Sequence, residues 1–245
     1  MLKRLQANTL CIREMATQNP FYVLIFSKTS GYRHDSIPAG IASLQQLAGQ
    51  TSRFTVTASE DASAFTPDSL SKYRVIVLLQ TIGNIFSQDQ LDALKHFVRA
   101  GGGVVAIHGA AAGIANDAWY GKLIGAHFAQ HPPHERGTVL VEEANQDHFI
   151  MNCCGGRKGW MDEWYNFHSH PRENGNLNIL LRGDPRSFEG GKHGDDHPLG
   201  WCQEFEGGRV FFTALGHFED AYRDGWFVGQ IGRGILWAAR QEDMS

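Results

Sequence analysis

Gly101-Gly102-Gly103-Val104-Val105-Ala106-Ile107-His108-Gly109-Ala110 is the stretch that decides the fold. An apolar, β-branched run bounded by glycines reads as a strand buried on both faces, the pattern of a parallel sheet. It closes on one polar residue, His108, with the small residues Ala106 and Ala110 two positions to either side. Small neighbours are what a sharp strand-to-helix elbow tolerates, because the chain turns tightly there and exposes a single side chain. Such elbows usually present a Ser or Cys nucleophile; here the position carries an imidazole.

Working outward, Phe21 to Phe26 and Val75 to Leu79 are two more buried strands, and Phe54 to Thr57 is a shorter, alternating one. Pro38 opens a helix that runs to about Gly49 with Ile41, Leu44, Leu47 and Ala48 on one face. Asp35-Ser36 reads as its cap. Thr66-Pro67 starts a short helix, and Ser87 with Gln90 forms a capping-box signature for another, which Gly101 stops. Strands alternating with helices of this length are βαβ units with right-handed crossovers and a parallel sheet. After residue 130 the pattern changes. Thr138 to Val141, Trp164 to Phe167, Leu177 to Leu181 and Leu199 to Phe205 read as strands between loops rich in Gly, His, Asp and Pro. Val210 to Leu215 is again a buried strand, and Gly225 to Arg240 a closing helix. The expected organisation is an extension over residues 1–19 followed by a single α/β domain over 20–242, with a mostly parallel central sheet and an elaborated second half.

Composition narrows the function. A formal net charge of -4, with no run of Lys or Arg, argues against nucleic acid and anionic membranes as partners. No apolar stretch approaches the roughly 20 residues needed to span a bilayer. Cys11, Cys153, Cys154 and Cys202 lack zinc-type spacing and read as reduced thiols, with Cys202 in the core, so the expected compartment is the cytoplasm.

Ligands of open α/β sheets bind beyond the carboxyl ends of the strands. Three strand ends here carry polar signatures: Tyr32-Arg33-His34-Asp35 after the first, His108-Gly109 at the elbow, and His217-Phe218-Glu219 after the last sheet strand. Neighbouring parallel strands lie about 5 Å apart, close enough for such groups to converge on one small ligand. The second half adds His127, His131 and His134 in one segment, Asp162-Glu163-Trp164-Tyr165 in another, and His197 in a third. Carboxylates beside flat aromatic rings suit a polyol, because the carboxylate accepts hydroxyl protons and the ring covers the apolar face of a pyranose. A strand alternating core aromatics with surface charge gives the same pattern. No HExxH motif occurs, so no metal ligand set is assigned and no cofactor is expected, although twelve histidines leave a divalent metal open.

Together, GYRHDSIPAG (31–40), RAGGGVVAIHGAA (99–111), WYGKLIGAHFAQHP (119–132), DEWYNF (162–167) and DHPLGWCQEFEGGRVFFTALGH (196–217) resemble the ThuA-like (trehalose utilisation) family of the class I glutamine amidotransferase-like superfamily. The resemblance implies a flavodoxin-like three-layer sandwich and a role in disaccharide catabolism linked to sugar oxidoreductases that generate keto-sugars. It also places His108 where amidotransferases carry their nucleophilic Cys, and His217-x-Glu219 where they carry His-x-Glu. Without a thiolate there is no acyl-enzyme route, so glutamine hydrolysis is expected to be absent.

Three functions follow. The first is an enzyme acting on a disaccharide or its keto form, with His34, His108, His217 and Glu163 as catalytic groups. Its substrate would be bound by Tyr32, Arg33, Gly109, His127, Asp162, Trp164, Tyr165 and His197. The second is a non-catalytic sugar-binding or regulatory protein, and the third a metal-dependent hydrolase drawing on His34, His108, His127, His197 and His217. A homo-oligomer is compatible with each.

Overall fold

The computed structural model describes residues 20–152 and 154–242; the extension over 1–19, with Cys11, and the residue Cys153 lie outside the described residues. In the first half, β1 (Phe21–Phe26), α1 (Ile37–Thr51), β2 (Phe54–Ser59), α2 (Pro67–Leu70), β3 (Val75–Leu79), α3 (Gln88–Arg99) and β4 (Gly103–Ile107) alternate as the periodicity predicts. β3 and β4 are buried at every position, which is why their sequences are continuous apolar runs rather than alternating ones. The Ser87–Gln90 capping box is formed, with both reciprocal bonds present. Gly103 is required by close packing: a Cβ there would lie 2.4 Å from the backbone oxygen of Ala238.

The second half contributes α4 (Ala118–Ile124), β5 (Phe128–Gln130), β6 (Glu135–Val141), β7 (Arg157–Asp162), β8 (Asn166–Phe167), β9 (Asn178–Gly183), β10 (His197–Phe205), β11 (Gly208–Thr213) and α5 (Gly225–Ala238). The main sheet runs β2-β1-β3-β4-β11-β10-β9-β6-β7. β2 through β11 in that order pair in parallel, and β10, β9, β6 and β7 add antiparallel. β10 and β11 are joined by Glu206-Gly207, both at positive φ (47° and 97°), the two-residue turn whose twist suits a hairpin. α1 packs with α5, and α2 with α3, giving the helical layers of an α/β sandwich around the sheet. Among the described residues, no helix is long and apolar enough to cross a membrane.

Three local expectations are corrected. The strand expected over Trp164 to Phe167 is reduced to the pair Asn166–Phe167, because Trp164 and Tyr165 turn into the interior. The strand preceding them, β7, is hidden in the sequence by Arg157, Lys158 and Gly159. Ser36 makes no side-chain cap to α1; its hydroxyl instead accepts a hydrogen bond from Gln80. The short helix α4, capped by the Asp117 carboxylate on the Tyr120 N–H, falls in a segment read only as a motif.

Candidate functional site

His108 sits at the end of β4 with φ 49°, a left-handed conformation that a residue other than glycine adopts at some cost and that is concentrated at functional elbows. Its ring is fully buried. Nδ1 lies 2.5 Å from the backbone oxygen of Ala214; a carbonyl only accepts, so Nδ1 carries the hydrogen. That leaves Nε2 as the atom facing the site, 3.3 Å from Glu163 Oε2.

His34, from the β1–α1 loop, and His217, just beyond β11, complete a triangle of imidazoles with ring centroids 4.9 Å (34–108), 5.0 Å (34–217) and 5.4 Å (108–217) apart. His217 Nδ1 is 3.1 Å from Glu163 Oε2, and His131 Nε2 is 3.4 Å from Oε1. One donor atom from each of His34, His108, His217 and Glu163 falls within 4.8 Å of the others.

Two buried polar groups hold these strand ends together. Gln80, at φ 56° after β3, donates from Nε2 to the Gly216 oxygen (2.7 Å), sharing that amide with Ser36 Oγ and the Tyr222 hydroxyl at 3.2 Å. Its Oε1 accepts from the Gly109 N–H at 3.1 Å. Asp162 at the end of β7 is fully buried and accepts from Gly216 N (2.8 Å), His217 N (3.1 Å), Trp160 Nε1 (2.8 Å) and its neighbour Glu163 N (3.0 Å). β7 is the edge strand of the antiparallel half, separated from β11 by β10, β9 and β6, so these bonds require that half to curl back over the parallel half. That curl delivers Glu163.

The electrostatics follow from the packing. Burial, reinforced by His108 and His217, lowers His34 to about 3, so this ring is neutral at physiological pH. Burial would raise the Glu163 carboxyl, but His108 and His217 beside it outweigh that and hold it below the usual carboxylate range. Tyr165, its ring centroid 4.3 Å from that of His108, forms one wall; burial and then the nearby Glu163 push its hydroxyl well up. Tyr32 is largely exposed, with its ring edge-on to His34 at 4.8 Å.

The structure thus brings together His34, His108, Glu163 and His217, with Tyr165 and Tyr32 beside them and Gly109 tied to Gln80. The other candidates lie apart. Asp162 is saturated by N–H donors and organises the site from behind. Trp164 stacks on Phe188 at 4.4 Å and donates to the Glu135 oxygen inside the core. Arg33 is engaged in an exposed two-point pair with Glu60 (2.6 and 3.1 Å). His127 packs on Gly121 of α4. His197 is buried against Phe188 and His193, and burial followed by the charge of His193 lowers it to about 4. His131 and Gln80 are the additions. His131 stood in the histidine-rich segment already noted, whereas nothing in the sequence around Gln80 marks it. Among the described residues, Cys154 and Cys202 form no disulfide, and Cys202 is buried as expected.

A mostly parallel sheet with an elbow histidine, answered by histidines and a carboxylate at neighbouring strand ends, defines an α/β protein of the flavodoxin-like kind. The chain belongs to the ThuA (trehalose utilisation) family, whose model matches residues 22–238. Its fold is similar to that of a ThuA-like protein of Bacteroides uniformis, with a TM-score of 0.74 at 22% identity over 91% of this chain and 93% of that one. A ThuA-like protein of Parabacteroides merdae follows, with a TM-score of 0.69 at 18% identity over 90% of each chain. The same fold forms 31% of a β-galactosidase chain from Bacillus circulans, with a TM-score of 0.56 at 12% identity over 89% of this chain. No curated protein matches the chain in sequence.

Proposed function

We propose that this protein is an enzyme of disaccharide catabolism that transforms a disaccharide or its keto form at the Glu163 cluster and has no amidotransferase activity. The observation that carries the reading is the Glu163 carboxylate, enclosed by imidazoles at the strand ends where ligands of open α/β sheets bind. A carboxylate held so low is a weak base, so its part is to anchor a hydroxyl or hold positive charge. The proton is then exchanged by a neighbouring imidazole open to solvent, as part of the His131 side chain is. With a keto-sugar, removal of the proton α to the carbonyl permits isomerisation or elimination. Tyr32 supplies an exposed ring for a sugar face. A sugar oxidoreductase is the partner activity that such a substrate requires.

The test is an NMR time course with trehalose and with 3-keto-trehalose, run on the wild type and on Glu163→Gln and His108→Asn. New resonances that vanish in both folded variants are the expected result. Undiminished turnover in a folded Glu163→Gln protein refutes the assignment. Ligand line-broadening without product supports the binding-protein reading instead, which the absent nucleophile at the elbow favours.

A further inference from the structure

Hydrogen bonding at the triangle is incomplete in one particular way. His34 Nδ1, His108 Nε2 and His217 Nδ1 are all buried and have no hydrogen-bond partner. Two of the three lie within ion-pair distance of Glu163 Oε2, at 3.3 and 3.1 Å, and converge on that one oxygen. Because His108 Nδ1 donates to the Ala214 carbonyl, Nε2 faces the carboxylate oxygen as a bare lone pair whenever no proton or cation occupies it. Lone pair against lone pair in a buried site is unfavourable unless a cation stands between them. One proton can serve one such contact. A divalent ion serves them all.

We propose that His34, His108, His217 and Glu163 bind a single divalent transition-metal ion of the zinc class. Three imidazoles and one carboxylate form the donor set that such ions prefer over magnesium or calcium. With metal–ligand distances of about 2.0–2.1 Å, the edge of a tetrahedron is about 3.3 Å. The contacts to Glu163 Oε2, 3.1 and 3.3 Å, already have that length, and the full set within 4.8 Å closes with shifts of about an ångström. The outer contacts fit as well. The bond from His108 Nδ1 to Ala214 fixes the tautomer that a ligand needs, and Asp162 and Gln80 fix the peptide that aims His217.

In the second histidine group, His170, His193 and His197, both ring nitrogens of His197 are likewise unpartnered, but the other two rings are engaged and the group does not converge as a donor set. His193 Nε2 accepts from the Phe167 N–H, while His170 is engaged through both nitrogens, with the Arg172 N–H and the Asp196 oxygen. The chemistry of the metal rests on the function proposed above: as a Lewis acid it would polarise a carbonyl or hydroxyl oxygen of the sugar. With three rings committed as ligands, proton exchange falls to His131 at the mouth.

The site is tested without any substrate. Tagless protein stripped with a chelator is titrated with Zn2+ by calorimetry and with Co2+ by visible absorption. The expected result is one equivalent bound, the intense d–d bands of four- or five-coordinate cobalt, and a rise in melting temperature. Glu163→Gln and His217→Gln should each weaken binding more than about tenfold, while His193→Asn leaves it unchanged. His108→Asn, chosen because Asn tolerates positive φ, should do the same as the first two, which decide the matter if it fails to fold. Absence of saturable binding by the stripped wild type overturns the proposal. So does full affinity in both Glu163→Gln and His217→Gln, or loss of binding in His193→Asn. Turnover that persists without any metal binding refutes the metal and leaves the enzyme standing; metal binding without turnover does the reverse.

Discussion

Replacing Asp162 with Asn tests whether the edge strand β7 is pinned to the site as the hydrogen bonds indicate. The native carboxylate accepts four N–H groups, two on each oxygen: Trp160 Nε1 and Gly216 N on Oδ2, and Glu163 N and His217 N on Oδ1. An amide has one accepting oxygen. Whichever way the new amide turns, its NH2 confronts two buried N–H donors, and each strands at about 1–3 kcal/mol. Taking the lower half of that range for each donor gives a destabilisation of about 3 kcal/mol. In urea, with a slope of about 3 kcal/mol per M for a chain of this size, the midpoint falls by about 1 M. Circular dichroism at a series of urea concentrations measures it. The backbone of His217 and Glu163 is positioned by the same oxygens, so sugar turnover and metal affinity should fall further than the lost stability explains. An Asp162→Asn protein that unfolds within 0.3 M of the wild type (a loss of roughly 1 kcal/mol) and keeps its activity refutes the argument.

Two other outcomes follow from placements that differ from surface expectation. His197 is fully buried and its pKa is lowered from 6.5 to about 4, with burial as the main cause. A group whose folded pKa is depressed contributes stability above its unfolded pKa and loses it as pH falls towards the folded value. The loss between pH 7 and pH 5 is about 2 kcal/mol, and a folded His197→Leu protein should show a correspondingly flatter stability profile over that window in denaturant titrations. Trp164→Ala should cost about 3–5 kcal/mol, because the ring packs on Phe188 and Gly137 in the core; at a temperature where the variant is folded, calorimetry should find its sugar affinity unchanged, and a large loss of affinity would return Trp164 to the binding surface.

The parallel half of the fold was legible because its strands are buried on both faces and so appear as unbroken apolar runs, and because Ser87, Gln90, Thr66 and Pro67 punctuate the helices locally. His108 was legible for a similar reason: small neighbours in the sequence signal a tight turn, and φ 49° is that turn. The antiparallel half was harder. β7 reads Arg157-Lys158-Gly159-Trp160-Met161-Asp162, with its outer end exposed and charged, so alternation is visible only across its last residues. Trp164 and Tyr165 beside two acids carried a polyol signature that packing divides. Tyr165 faces His108, whereas Trp164 turns to Phe188. Sequence spacing cannot separate them, because the backbone leaves the strand between residues 162 and 166.

What spacing could least reveal is the clamp on one residue. Gly216 has its N–H held by Asp162 from the far edge of the sheet and its oxygen held by Gln80 from β3, at 2.8 and 2.7 Å. It stands at φ 114°, and a Cβ there would come within 2.9 Å of the Phe227 ring, so glycine is the residue that permits this turn. The next side chain, His217, is thereby aimed at Glu163 by contacts from two elements distant in sequence. His108 is aimed independently, through Ala214 and the elbow. The two rings reach the same carboxylate oxygen because separate backbone devices both point there. Convergence built twice over, on one carboxylate oxygen, is the arrangement that two ligands of one ion require.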